Sequence, residues 1–202
     1  MHIEQLEHIE KTLSKKLSAH RYEHSRGVAY TAACMSMKFG CDMNQAFLAG
    51  ILHDCAKFYS NEELLAHCEK FHLTISPTER SMPYLLHAKL GAYLALHKYN
   101  VQDQELCSAI TWHTTGHSNM TLLEKILYVA DYIEPNRDKA PNLAEIRKIS
   151  FENLDEAVYL VARDTLQYLK QTGTPFDPAS DETYQFYKKL CKQNRPEEPV
   201  QI

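Results

Sequence analysis

The stretch "AGILHDCAKF", residues 49–58, closes an apolar run with a histidine and a carboxylate side by side, His53 and Asp54. Neither side chain tolerates burial unless something pairs it, because its hydration is lost without replacement. The run predicts a core helix that delivers polar side chains to its inner end. Its surroundings carry the same 3.6-residue apolar periodicity. Ile3, Leu6, Ile9, Leu13 and Leu17 fall on one face of a first helix, and Leu154, Val158, Val161, Thr165 and Leu169 on one face of a late one. Gly40 closes one helix and Asp42 caps the next. Ser60 with Glu63, and Thr121 with Glu124, have the capping-box spacing, and Pro135 and Pro175 follow helix ends. With no sustained period-two stretch and no hairpin turn, the expected fold class is all-α, a bundle of about nine helices.

A chain of 202 residues buries a substantial core without disulfides or a structural metal. One domain is expected over 1–195, with its chemical core at about 20–150, further helices at 150–192 and a frayed tail at 193–202. The formal charge is -4 and no basic run exceeds two residues, which excludes the broad positive footprint of a nucleic-acid binder. Six cysteines without a C-x-x-C pair, behind a charged amphipathic N-terminus, point to reduced thiols and a cytoplasmic location. Apolar runs fall far short of the roughly 20 residues of a membrane span, so no membrane partner is expected.

Eleven histidines are the unusual feature. His2, His8, His67, His72 and His97 sit among polar neighbours and read as surface residues. His24, His53, His87 and His113 lie on apolar helical segments, as does Asp131. Any one of them alone reads equally well as a satisfied core side chain. Together with Asp54 they make six ionisable groups on five helices, and buried groups of this kind are paired or bound to metal. Four imidazoles and two carboxylates without a thiolate favour Fe, Mn, Zn, Co or Ni, and six ligands are too many for one catalytic ion with an open position. Two ions sharing the set make better sense, with Asp54 as a bridge. Such pairs, about 3.5–4 Å apart, clamp the attacking and leaving oxygens of a phosphoryl displacement. Lys57, three residues after Asp54 and four after His53, projects toward the ions as a charge for substrate phosphate. Its alternative is a solvated lysine at a helix C-terminus.

The order His24, His53-Asp54, Asp131 resembles the H…HD…D signature of the HD-domain metallophosphohydrolase superfamily, and His87 and His113 match its dinuclear members. "RYEHSRGVA", "AGILHDCAK", "HAKLGA", "AITWHTTGH" and "LEKILYVADYIEPNR" together resemble the YqeK type, the bacterial symmetrical diadenosine tetraphosphate hydrolases, over about residues 20 to 150. The resemblance implies a dinuclear enzyme, iron-preferring, that splits a dinucleoside polyphosphate between its central phosphates and releases two ADP. It implies that His24, His53, Asp54 and Asp131 hold one ion and that His87, His113 and bridging Asp54 hold the second. Lys57 matches the lysine after the HD pair, Arg137 the arginine of "EP.R", and Thr114, Thr115 and Gly116 the loop that faces phosphate. His117 stands where the family has arginine; it can protonate the leaving ADP or lie on the surface. Arg147 is a further candidate for the nucleotide site, and Tyr59, Trp112 and Tyr132 are base-stacking or core aromatics. A homodimer is admitted. The alternatives are another HD-type nucleotide phosphohydrolase or phosphodiesterase, a diiron oxygenase, and a non-catalytic nucleotide-binding module.

Overall fold

A computed structural model describes residues 3–193, and these are all-helical. The helices are α1 (Ile3–Lys16), α2 (Ala19–Phe39), α3 (Met43–Leu52), α4 (Asn61–Lys70), α5 (Pro77–Ser81), α6 (Leu86–His97), α7 (Gln104–Trp112), α8 (Leu122–Ile133), α9 (Leu143–Ile149), α10 (Leu154–Gln171) and α11 (Pro178–Gln193), with a 3-10 turn at Pro83–Leu85 before α6. The described residues thus hold eleven α-helices rather than about nine. The additional ones are short: α5 is five residues long, fixed by a capping box of Ser76 and Glu79, and α9 is seven. Apolar periodicity does not register elements of one or two turns. The expected tail and His2 lie outside the described residues, apart from Gln193 at the end of α11.

The expected boundaries hold where side chains fix them. Gly40 ends α2 in the left-handed region at φ 79°, and Asp42 caps α3 by accepting from the Gln45 N–H. Both expected capping boxes form, at Ser60 with Glu63 and at Thr121 with Glu124. Ile9, Leu13 and Leu17 are buried, as are Leu154, Val158 and Val161 of α10.

α2 lies along α3 and α8, α7 joins α6 to α8, and α10 packs on α8 and α11. This arrangement turns one end of α3 and α7 and one face of α2, α6 and α8 toward a common point. The α2–α3 approach depends on Gly50. A Cβ there would stand 2.5 Å from Ala29 Cα and 2.8 Å from Ala29 N, against backbone that cannot rotate away. No helix among the described residues is long and apolar enough to cross a membrane.

Gly50→Ala is therefore expected to destabilise the fold by about 1–3 kcal/mol, the usual cost of overpacking, measured by urea unfolding. An unchanged midpoint would contradict the close packing of α2 on α3.

Candidate metal centre

The six expected ligands converge. His24 comes from α2, His87 from the first turn of α6 and Asp131 from α8, while His53 and His113 are the C-cap residues of α3 and α7. After Leu52 the α-helix gives way to tight turns, with Cys55 N–H donating to Leu52 O and Lys57 N–H to Asp54 O. His53 and Asp54 therefore belong to the helix end rather than to its interior.

Asp54 organises the set. Its Oδ2 stands 3.5 Å from His53 Nε2 and 3.9 Å from His24 Nε2, while its Oδ1 stands 3.3 Å from His87 Nε2 and 3.7 Å from His113 Nε2. Asp131 Oδ1 joins the first group, 3.0 Å from His24 Nε2 and 3.9 Å from His53 Nε2. One buried carboxylate thus faces two pairs of imidazoles with different oxygens.

The tautomers follow from the outer hydrogen bonds. Nδ1 of His53, His87 and His113 donates to the carbonyls of Gly50, Tyr84 and Ile110 at 2.6–2.7 Å, each three residues earlier, and His24 Nδ1 donates to Glu134 Oε1 at 3.2 Å. Each ring then presents an Nε2 lone pair inward, the orientation that metal-binding histidines take from their outer partners. The Nε2 atoms of His24 and His53 are buried without a hydrogen-bond partner, and those of His87 and His113 face each other at 3.1 Å. Lone pairs so placed suit a cation. Two groups, His24 with His53 and Asp131, and His53 with Asp54 and His113, bring their ligand atoms within 4.8 Å of one another.

The imidazoles and carboxylates also act on one another directly. Burial alone would raise the Asp54 carboxyl, yet His53, His113 and His87 outweigh it and hold it well below the usual range. Asp131 is likewise lowered, burial being overcome by His24 and His53. Burial, with Lys57 and His113 nearby, pushes His87 down to about 4, which leaves it a neutral donor near pH 7.

The other expected site residues divide. Lys57 Nζ reaches His87, 3.1 Å from Nδ1 and 3.2 Å from Nε2, although it arrives from the turn after α3 rather than from a helix face. Arg137 donates to Asp131 through both the main-chain oxygen (2.9 Å) and Oδ1 (3.2 Å). The Thr114 hydroxyl lies 3.2 Å from His113 Nε2. Thr115 and Gly116 turn away. The Thr115 hydroxyl donates to Gly116 O, and the Gly116 N–H is spent on Trp112 O. Gly116 is a glycine because its φ is 64° and a Cβ would strike Thr183 of α11. His117 has both ring nitrogens engaged, with Glu124 Oε2 at 3.0 Å and Ser118 O at 2.8 Å, and tilts against Trp112. The ring is held between the turn after α7 and the start of α8. Arg147 donates to the carbonyls of Ile133, Glu134 and Arg137, so it braces the loop after α8 instead of offering its charge to a nucleotide. Among the aromatics, Tyr59 lines a cleft with Lys57 and Tyr132 one with Arg137.

Two contributors escaped the sequence reading. Arg21 Nη1 donates to Asp54 Oδ2 at 2.7 Å, and buried Glu134 orients His24. Arg21 precedes His24 by three and Glu134 follows Asp131 by three, so one turn of helix along a ligand's own face was the available signal.

Residues 21–136 match the model of the HD domain family, and the chain belongs to that family. Its His/Asp cluster is a divalent-metal site of the kind HD hydrolases use. Within the family the chain is 38% identical over 172 residues to a protein of Bacillus subtilis named bis(5'-nucleosyl)-tetraphosphatase, symmetrical, covering 85% of this chain and 91% of the relative. It is 36% identical to a protein of the same name from Halalkalibacterium halodurans, covering 83% and 89%. A solved structure from Clostridium acetobutylicum, described as a predicted HD superfamily hydrolase involved in NAD metabolism, superposes with a TM-score of 0.88 at 32% identity over 92% of this chain and 97% of that one.

Loss of the His24 brace should loosen the site without removing a ligand. Glu134→Ala is expected to weaken Mn(II) binding about 10–100-fold in a calorimetric titration; wild-type affinity would show that Glu134 does not orient the ring.

Proposed function

We propose that this protein hydrolyses diadenosine tetraphosphate symmetrically, giving two ADP, at a dinuclear metal centre. The observation that carries the reading is the division of the Asp54 oxygens between the His24/His53 and His87/His113 pairs. Support for the substrate comes from the relatives named symmetrical bis(5'-nucleosyl)-tetraphosphatase. In this reading His24, His53, Asp54 and Asp131 hold one ion, and His87, His113 and Asp54 the other. The nitrogen and oxygen donor set suits Fe, Mn, Co, Ni or Zn, and it is the resemblance to the symmetrical hydrolases that points to iron.

When bound, the ions supply Lewis-acid polarisation of the phosphoryl oxygens and a water of lowered pKa. The protein does the rest by position. Burial lowers the Lys57 ammonium pKa, while Asp54 opposes that fall, and its place beside His87 puts a positive charge where negative charge grows on the transferring oxygens. Arg137, steadied by Asp131, faces the phosphates as a second cation, and the Thr114 hydroxyl is available as a neutral donor. ADP is a good leaving group, so no dedicated acid is needed and none is assigned to His117. Thr115 and Gly116 contribute the shape of the turn.

One domain over 1–195 is part of the proposal, supported by a single buried apolar cluster that runs from Ile9 to Tyr187. So is a cytoplasmic location, supported by six cysteines without paired spacing. A homodimer is also admitted in this reading.

Anaerobic loading with Fe(II), incubation with diadenosine tetraphosphate and chromatography of the products test the reading. ADP alone, two per substrate, is expected; AMP with ATP would reject central cleavage. Asp54→Ala should abolish turnover while melting as a folded protein, and retained activity in a folded, metal-loaded variant would contradict the bridge.

A further inference from the structure

Outside the ligand cluster, two clefts open on either side of Arg21. One, of about 590 Å³, is lined by Lys16, Arg21, Lys57, Phe58, Tyr59 and Tyr84 among others, with no carboxylate in its wall. The other, of about 370 Å³, is lined by His20, Arg21, Arg137 and Lys139 together with two carboxylates, Glu134 and Asp138. Arg21 is the residue common to both, and its guanidinium touches Asp54 at 2.7 Å. The clefts therefore share a wall residue that touches Asp54.

Of the cations in the first cleft's wall, Arg21 is paired with Asp54, and among the described residues neither Lys16 nor Lys57 has a carboxylate oxygen within 4.0 Å. Lys16 ends α1 with its ammonium 4.7 Å from the centre of the Phe58 ring, over the cleft wall. Lys98 beside it has its pKa pulled down to about 8, first by burial and then by the neighbouring Lys16 ammonium. Cations left unpaired around a concave wall call for an anion. The same wall holds the Phe58 and Tyr59 rings, with centroids 4.1 Å apart, and Tyr84, which is 41% exposed. Aromatic faces beside lysines suit a base attached to phosphates.

We propose that this cleft seats one nucleoside diphosphate arm of the substrate and that Lys16, on the N-terminal helix, is the residue that grips its phosphates. The assignment rests on the hydrolase reading above. Lys16 precedes the segment matched by the HD family model, which begins at residue 21. With the second arm in the cleft beyond Arg21, a molecule with two equal arms places its middle over Asp54. Symmetrical cleavage then follows from that placement.

The test uses the metal-loaded chain as wild type, Lys16→Glu and Lys16→Arg, with calorimetric ADP binding and steady-state kinetics on diadenosine tetraphosphate. Wild type is expected to bind two ADP per chain. Lys16→Glu should bind one and raise KM roughly tenfold or more, the scale of a lost charge-assisted contact, with a smaller change in kcat; Lys16→Arg should restore both. A wild type that binds a single ADP, or a Lys16→Glu that keeps two sites and the wild-type KM, would overturn the cleft assignment while leaving the hydrolase reading intact. A wild type that does not cleave the substrate would overturn both.

Discussion

A carboxylate in the interior of a helical bundle is costly unless cations meet it, and Asp54 is such a carboxylate, 2% exposed and surrounded by four imidazole nitrogens. With the Nδ1 hydrogens committed to outward partners, the protein offers these lone pairs and negative charges too few hydrogens of its own. Much of the surrounding architecture serves to hold this arrangement. Helices α3 and α7 stop where their C-cap histidines reach it, α2 turns His24 and Arg21 into it, and α6 and α8 add His87 and Asp131. Arg21, Lys57 and Arg137 stand at its edge as cations.

Helix termini do much of this work. A C-cap histidine whose ring N–H donates to the carbonyl three residues back satisfies a helix-end acceptor and fixes its own tautomer in one bond, as at His53 with Gly50 and His113 with Ile110. His24, in mid-helix, has no free carbonyl to use and takes Glu134 from across the bundle instead. The loop after α8 must then be rigid enough to hold Glu134 still. Arg147, bonded to the carbonyls of Ile133, Glu134 and Arg137, supplies that rigidity.

The all-α class and the six metal-centre residues were legible because both depend on local signals: apolar periodicity, caps, and ionisable groups at apolar helical positions. The helix count was not. α5 and α9 are too short to show a period, although the Ser76/Glu79 box announces the first of them. Arg21 and Glu134 were invisible as individual residues because an arginine or glutamate on a helix surface is the commonest of things; only the three-dimensional approach of α2, α8 and the turn after α3 gives them their partners. The loop after His113 carries structural requirements that its sequence does not show. "TTGH" looks like a phosphate cradle, yet Gly116 is required by its positive φ and the pressure of Thr183, and His117 by the Glu124 carboxylate that also caps α8.

The central claim is that Asp54 bridges two ions. Anomalous diffraction from crystals grown with Mn(II) tests it most directly. The account predicts two peaks about 3.5–4 Å apart, one beside His24, His53 and Asp131 and the other beside His87 and His113, with Asp54 between them. A single peak at full occupancy, or two peaks with Asp54 bound to only one of them, would contradict it.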